Sequence, residues 1–237
     1  MRTAAIVLSA GRGTRMQSDI PKQYMLLNEK PVLYYSLKAF QDSSVSTIIL
    51  VTGKEDVEFC RNEIVEKYNI TKVSAIVPGG KERYHSVYEG LKQLSDYDYV
   101  LIHDGARPCV EIDTIERSIQ AAVEEEACVV GMPVKDTIKV SDENGFAVAT
   151  PDRSTLWMIQ TPQSFSYPLI DQAYRELMER LDKEPQNVPS ITDDAMVAEY
   201  IFGKKVKLIP GSYMNIKITT PEDIRVAEGF LKKLEKL

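Results

Sequence analysis

Cations set among small residues are the first chemistry this sequence offers. Leu8-Ser9-Ala10-Gly11-Arg12-Gly13-Thr14-Arg15-Met16 follows a short apolar run, and Pro21-Lys22-Gln23 comes soon after it. Glycine and alanine let backbone N–H groups approach a phosphate or a base edge. Arg12, Arg15 and Lys22 add the positive charge that offsets charge growing during phosphoryl or nucleotidyl transfer. The segment is not a dinucleotide fingerprint, because Met16 stands where G-x-G-x-x-G needs its third glycine. It is not a Walker A loop either, because G-x-x-x-x-G-K-[ST] is absent. The bland alternative is a surface turn with scattered cations.

Five further segments carry candidate chemistry. In Pro78-Gly79-Gly80-Lys81-Glu82-Arg83-Tyr84-His85-Ser86-Val87, glycines precede a predicted helix, a place that suits an anion or a base edge. Ser86 there either caps the helix or bonds a nucleotide. His103-Asp104-Gly105-Ala106-Arg107-Pro108 closes a predicted strand, where ligands of open α/β sheets bind. Asp104 suits a Mg²⁺ ion or a hydroxyl, and Arg107 suits a phosphate; the alternative is an Asp104–Arg107 ion pair that ties down the loop. His103, Tyr84 and Trp157 read as packing residues. Thr161-Pro162-Gln163-Ser164-Phe165 and Thr192-Asp193-Asp194-Ala195 have structural readings, Thr161 ending a strand and Thr192 capping a helix with two acids in its first turn. Lys217 sits in the strand-like Asn215-Ile216-Lys217-Ile218-Thr219, and a lysine in a buried strand has an anion to meet.

The elements that must position these residues alternate. Predicted strands are 4–8, 47–52, 73–77, 99–103, 128–132 and 206–209. Predicted helices are 32–41, 57–68, 85–94, 114–125, 168–180, 195–202 and 221–234. Strands alternating with helices imply βαβ units and a mostly parallel sheet in three layers, and continuous apolar runs suit buried parallel strands. One stretch breaks the pattern. At 134–157, predicted strands 137–140 and 146–150 flank Asp142-Glu143-Asn144-Gly145, and Asn-Gly is a hairpin signal. An isolated hairpin is marginal in water, so this arm is expected to pack on a partner subunit. The 237 residues are read as one domain, 1–237, with the arm at about 134–157.

Composition narrows the partners. A formal charge of −6 argues against nucleic acid or an anionic membrane as the main partner. Cys60, Cys109 and Cys128 form no C-x-x-C pair and are odd in number, so a reducing, cytoplasmic setting is expected. No apolar stretch approaches the roughly 20 residues of a membrane span.

Taken together, SAGRGTRM, PKQY, GGKERYHSV, HDGARP, TPQSF, TDDA and NIKIT, in this order, resemble the 2-C-methyl-D-erythritol 4-phosphate cytidylyltransferase family from Thr3 to about Phe230. The resemblance implies a Rossmann-like α/β fold with a protruding β-hairpin arm that makes a homodimer. It implies transfer of CMP from CTP to methylerythritol phosphate, with Mg²⁺ or another divalent cation. By match to the family motifs, Ala10, Gly11, Gly13, Gly80 and Ser86 touch the nucleotide. Arg15 and Lys22 stabilise the transition state. Asp104, Arg107, Thr137, Arg153, Thr161, Thr192 and Lys217 surround or position the polyol phosphate, Arg153 and Lys217 are also counted as catalytic, and Asp104 is the candidate metal ligand. Thr137 and Arg153 lie on the arm and reach the neighbouring subunit's site. Gly105 stands where the family leads one to expect alanine, a difference read as affecting loop stiffness only. Two alternatives are a ribitol-5-phosphate cytidylyltransferase, which shares several motifs, and a non-catalytic nucleotide-binding domain, against which both Arg15 and Lys22 argue.

Overall fold

A computed structural model describes residues 1–11 and 20–234. The chain runs β1 (Thr3–Ser9), β2 (Leu26–Leu27), β3 (Lys30–Pro31), α1 (Val32–Asp42), β4 (Thr47–Thr52) and α2 (Val57–Phe59), which continues as a π-helical stretch over Cys60–Glu66. It goes on through β5 (Val73–Pro78), α3 (Arg83–Leu91), β6 (Tyr99–Asp104), α4 (Ile112–Glu125), β7 (Ala127–Pro133), β8 (Val140–Ser141) and β9 (Ala147–Ala149). It ends with β10 (Trp157–Ser166), α5 (Tyr167–Lys183), α6 (Asp194–Phe202), β11 (Lys207–Pro210) and α7 (Pro221–Leu234). Seven strands form one sheet in the order β11-β7-β10-β6-β1-β4-β5. Every pairing is parallel except those of β10, which runs antiparallel to both β6 and β7.

Successive strand residues face opposite sides of a sheet, and β1 uses both sides. Ala4 and Ile6 pack with Val87 and Leu91 of α3 and with Tyr174 of α5. Ala5 and Val7 pack with Leu33, Leu37 and Phe40 of α1 and with Ile115 of α4. Burial on both faces is why the run reads as continuously apolar. A third cluster seats Ala227 and Leu231 of α7 on Leu27, Val32 and Ile218.

Of β10, sequence reading anticipated only a strand ending at Thr161, whereas the strand runs through that residue to Ser166. Its burial runs through polar residues, Gln160, Thr161, Gln163 and Ser164, all under a tenth exposed. Each is satisfied from another element: Gln160 donates to Ser212 O, Thr161 meets His103, Gln163 holds α6, and Ser164 meets Ser118. Pro162 has no N–H for the ladder, and the register against β7 shifts between Ile159 and Gln163. Strand 206–209 is found one residue later, and the 215–219 segment that looked strand-like belongs to no strand. That segment is tied in by single bonds, Ile218 N–H to Ala106 O at 2.8 Å among them.

The hairpin is present but shorter than expected, as β8 and β9 in a sheet of their own. Asp142 closes its loop: the N–H groups of Asn144 and Phe146 both donate to Asp142 Oδ1, at 3.0 and 2.9 Å. Gly145 has φ +84°, which glycine adopts without strain. Residues 135–150 are all exposed, including Phe146 at 71%. The three cysteines are free and buried. Among the described residues, no helix is long and apolar enough to cross a membrane.

Candidate functional site

The carboxyl ends of the parallel strands meet on one edge of the sheet, and two cavities open there. The first, about 220 Å³, takes in Ala10, Gly11, Lys22, Gly80 and Ser86. The second, about 320 Å³, takes in Arg107, Thr161, Gln163, Thr192 and Asp193. Arg83, Asp104 and Lys217 line both, so the cavities are two lobes of one site divided by these three charges.

The first lobe is built on the end of β1. Gln23 Nε2 donates to Ser9 O at 2.8 Å and to Gly11 O at 3.1 Å, holding the chain as it leaves the strand. Lys22 Nζ donates to Ile218 O at 2.9 Å and so stands beside the 215–219 segment. Across the lobe, the loop before α3 closes on Ala10. A Cβ at Gly79 would come within 2.6 Å of the Ala10 Cβ and 2.7 Å of Ser86 Oγ, so only glycine allows that approach. Ser86 is not the helix cap: it lies inside α3, and its Oγ accepts from Gly80 N–H at 3.1 Å. Gly13 and Arg15, with Arg12, lie outside the described residues.

The second lobe is organised around Asp104. Its Oδ2 meets Lys217 Nζ at 2.7 Å and its Oδ1 meets Arg83 Nε at 3.4 Å. The alternative pairing with Arg107 is not formed. Arg107 Nη1 instead donates to Asn215 O at 2.8 Å, and Asn215 Nδ2 donates to Thr161 O at 2.9 Å, lashing β6, β10 and the 215–219 segment together. Burial pushes the Asp104 carboxyl up, but Arg83, Lys217 and Arg107 outweigh it and hold the group well below the usual carboxylate range. The anion that Lys217 meets is therefore Asp104, and at 37% exposure the lysine still faces the cavity. Thr192 does not cap α6; Asp193 does, accepting from Met196 N–H at 3.0 Å. Gly105 is more than a matter of loop stiffness, since a Cβ there would lie 2.8 Å from Leu33 Cδ1 and 3.0 Å from Leu8 O.

Thr137 and Arg153 are on the arm and line neither cavity of their own chain; Arg153 Nη1 donates to Lys135 O at 2.8 Å. Three contributors had no role assigned from sequence. Arg83 is held by Asp194 at 2.7 and 2.8 Å, and Gln163 Oε1 accepts the N–H groups of both Asp194 and Ala195 at 3.0 Å. All three sit inside segments singled out above, but nothing in their spacing shows that they meet.

The lobes suit two anions, with Lys22, Lys81, Arg83, Arg107 and Lys217 gathered in a chain of net charge −6. Among the described residues they supply no activated nucleophile. Burial lowers His103 to about 3 and raises Cys109 and Cys128 to about 12, away from thiolate chemistry. Among the described residues no three His, Cys, Asp or Glu side chains gather to hold a metal, and the Asp104 carboxylate is taken up by two cations. The protein groups present do not by themselves make a metal site.

The sequence model of the family described as 2-C-methyl-D-erythritol 4-phosphate cytidylyltransferase matches residues 3–233. The 2-C-methyl-D-erythritol 4-phosphate cytidylyltransferase of Lachnospira eligens is 54% identical over 230 residues, 96% of this chain and 98% of that one. The crystal structure of 4-diphosphocytidyl-2C-methyl-D-erythritol synthase from Anaerococcus prevotii superposes with a TM-score of 0.82 at 33% identity, covering 98% of this chain and 96% of that one. The Francisella tularensis 2-C-methyl-D-erythritol 4-phosphate cytidylyltransferase superposes with a TM-score of 0.79 at 30% identity, covering 97% and 100%.

Proposed function

The chain belongs to the 2-C-methyl-D-erythritol 4-phosphate cytidylyltransferase family, and we propose that it works by holding CTP in the first lobe and the polyol phosphate in the second. The reaction transfers CMP from CTP to 2-C-methyl-D-erythritol 4-phosphate, giving 4-diphosphocytidyl-2-C-methyl-D-erythritol and pyrophosphate in the non-mevalonate route to isoprenoids. The observation that carries the assignment is the pair of adjoining cavities that share Arg83, Asp104 and Lys217. The glycine-rich lobe offers backbone N–H groups and Ser86 to a nucleotide. The lobe with Asp104, Thr161 and Thr192 offers acceptors and hydroxyls to a polyol, with Arg107 and Lys217 beside it.

A phosphate monoester has a second pKa of about 6, so at neutral pH it is already mostly dianionic and needs no general base. A phosphate oxygen of the polyol attacks the α-phosphorus of CTP, a new P–O bond forms, and the bond to the β-phosphate breaks to release pyrophosphate. The barrier is one of bringing two anions together in line, so positioning and cations carry the catalysis. Arg15 and Lys22 offset charge growing at the α-phosphate. Lys217, and Arg153 from the arm of a second subunit, orient the attacking phosphate. Mg²⁺ or another divalent cation, bound together with CTP, would supply charge screening on the triphosphate. The exposed apolar arm, with Val140, Phe146 and Val148 uncovered, supports a homodimer. Three free, buried thiols support a reducing, cytoplasmic setting.

Steady-state pyrophosphate release tests the two lobes. Asp104→Asn should raise KM for methylerythritol phosphate roughly tenfold and leave KM for CTP within about threefold, and Ser86→Ala should do the reverse, as expected when ground-state contacts are lost on one side. Parallel shifts in both constants for both variants would mean that the lobes are wrongly assigned.

A further inference from the structure

The charge of Arg83 is answered from deep inside the protein. All three of its guanidinium nitrogens donate to carboxylates. Nη1 and Nη2 grip the two oxygens of Asp194 at 2.8 and 2.7 Å, and Nε faces Asp104 Oδ1 at 3.4 Å. Asp194 is fully buried and has further fixings. Tyr174 Oη donates to its Oδ1 at 2.6 Å, and its backbone N–H goes to Gln163 Oε1 at 3.0 Å. Tyr174 is itself fully buried in the core against α6. The chain of contacts therefore runs from the hydrophobic core through Tyr174, Asp194 and Arg83 to Asp104 at the boundary of the two lobes.

A planar fork held at both tines has little freedom of its own. Its third nitrogen then defines where Asp104 Oδ1 can sit, while Lys217 holds Oδ2 from the other side. Arg83 also begins α3, whose N-terminal loop walls the first lobe, whereas Asp194 begins α6 beside Thr192 and Asp193 in the second. Because Asp194 already neutralises it, Arg83 is poorly placed to act as a phosphate-binding cation.

We propose that Arg83 is a positioning residue, anchored by Asp194 and Tyr174, that aims the Asp104 carboxylate at the polyol hydroxyls and so sets affinity for methylerythritol phosphate rather than for CTP. The inference rests on the assignment of the second lobe to the polyol phosphate. Lysine in place of Arg83 keeps the charge, but one ammonium cannot bridge both carboxylates in the same geometry.

The test is a double-mutant cycle in the pyrophosphate-release assay, with wild type, Arg83→Lys, Asp104→Asn and the double variant. Arg83→Lys should raise KM for methylerythritol phosphate roughly tenfold with KM for CTP within about threefold. In the Asp104→Asn background the same change should add less than about twofold, because the residue acts only through the carboxylate. If Asp104→Asn leaves KM for methylerythritol phosphate unchanged, the lobe assignment itself is wrong and the inference goes with it. If Asp104→Asn raises that KM but Arg83→Lys does not, or raises it equally in both backgrounds, the lobe assignment stands and the positioning role is overturned. If Arg83→Lys does not fold by circular dichroism, Tyr174→Phe takes its place, since it removes only the hydroxyl that fixes Asp194. A rise of severalfold in KM for methylerythritol phosphate with KM for CTP unchanged supports the proposal, and a loss of thermal stability with both KM values unchanged overturns it.

Discussion

The stability of this protein should fall on mild acidification through one side chain, His103. The imidazole is fully buried at the end of β6, its ring tilted against Phe40 with the centroids 5.1 Å apart. Its Nε2 faces Arg107 O at 3.4 Å, a group that only accepts, so Nε2 carries the proton. Nδ1 then accepts from the Thr161 hydroxyl at 2.9 Å, and Thr161 Oγ1 in turn accepts the Asp104 backbone N–H at 3.1 Å. Protonating Nδ1 would set two donors against each other and undo the chain that seats Asp104. Burial lowers the group from 6.5 to about 3; neighbouring Asp104 opposes the shift less strongly, and Arg107 adds to it. A folded-state value below the unfolded one means that the unfolded chain takes up a proton first as pH falls. The His103 contribution is therefore lost between about pH 6.5 and pH 3 and levels off below that. About pH 4.5 lies two pH units below the unfolded value, and each unit costs ~1.4 kcal/mol for the one proton taken up, so roughly 3 kcal/mol should be lost relative to pH 7.5. That is a large share of the 5–15 kcal/mol or so that holds a typical domain folded. The Asp104 carboxyl, which starts from 3.8 and is held lower still, contributes little above pH 4.5. Urea unfolding followed by circular dichroism, at one protein concentration and at about pH 7.5 and 4.5, measures the loss. His103→Asn keeps an acceptor toward Thr161 and cannot take the proton, so its loss should be smaller by roughly 2–3 kcal/mol. Wild-type and variant curves that fall in parallel, within about 1 kcal/mol, would refute the reasoning.

Three other outcomes are expected. Gln163→Leu strips the acceptor from two buried N–H groups at the start of α6, at about 1–3 kcal/mol each, so the urea midpoint should drop by the equivalent of roughly 2–6 kcal/mol with an unchanged slope; a drop worth under about 1 kcal/mol would show that water or a shifted side chain replaces it. Lys22→Ala should lower kcat by roughly a hundredfold or more with CTP binding less affected, measured by steady-state kinetics and nucleotide titration, and an unchanged kcat in a folded variant removes it from the transition state. Lys22→Ala and Arg153→Ala chains, each nearly inactive, should recover roughly a quarter of wild-type activity when unfolded and refolded together, because about half the pairs are mixed and each mixed pair has one intact site; no recovery, with heterodimers confirmed by light scattering, means that Arg153 serves its own subunit.

How far the sequence could be read tracks how local the determining physics is. β1, β4 and β6 announce themselves because a strand buried on both faces must be apolar throughout, and those runs are continuous. The arm announces itself through Asp142 and Gly145, whose turn chemistry acts within a few residues. β10 does not, because each polar residue that disqualifies it is satisfied by a partner from another part of the chain, as Thr161 is by His103 and Gln160 by Ser212. The same holds for Lys217. Its apolar neighbours suggested a strand, yet Ile218 is buried by α7 and a single bond to Ala106, with no ladder at all.

The site divides along the same line. Residues whose proposed task depends on residue type at one spot, such as Ala10, Gly11, Gly80 and Lys22 in the proposed nucleotide lobe, can be located from short motifs, and they line one cavity. What the motifs leave open is which charges cancel. Arg83 follows Gly80 and Lys81 and has the look of one more phosphate-binding cation, yet its counter-ion Asp194 lies 111 residues away. Asp104 next to Arg107 invites a local ion pair, yet Arg107 turns to a backbone carbonyl, and Lys217 takes the carboxylate from 113 residues further along the chain. Counting charge in these segments gives a basic site of undivided purpose. Once the pairs are assigned, Arg83 is neutralised by Asp194 while its Nε still reaches Asp104, Lys217 holds the other Asp104 oxygen, and Arg83 drops out of the cations proposed to meet phosphate. A field that discriminates two anionic substrates depends on that cancellation, which only the folded chain determines.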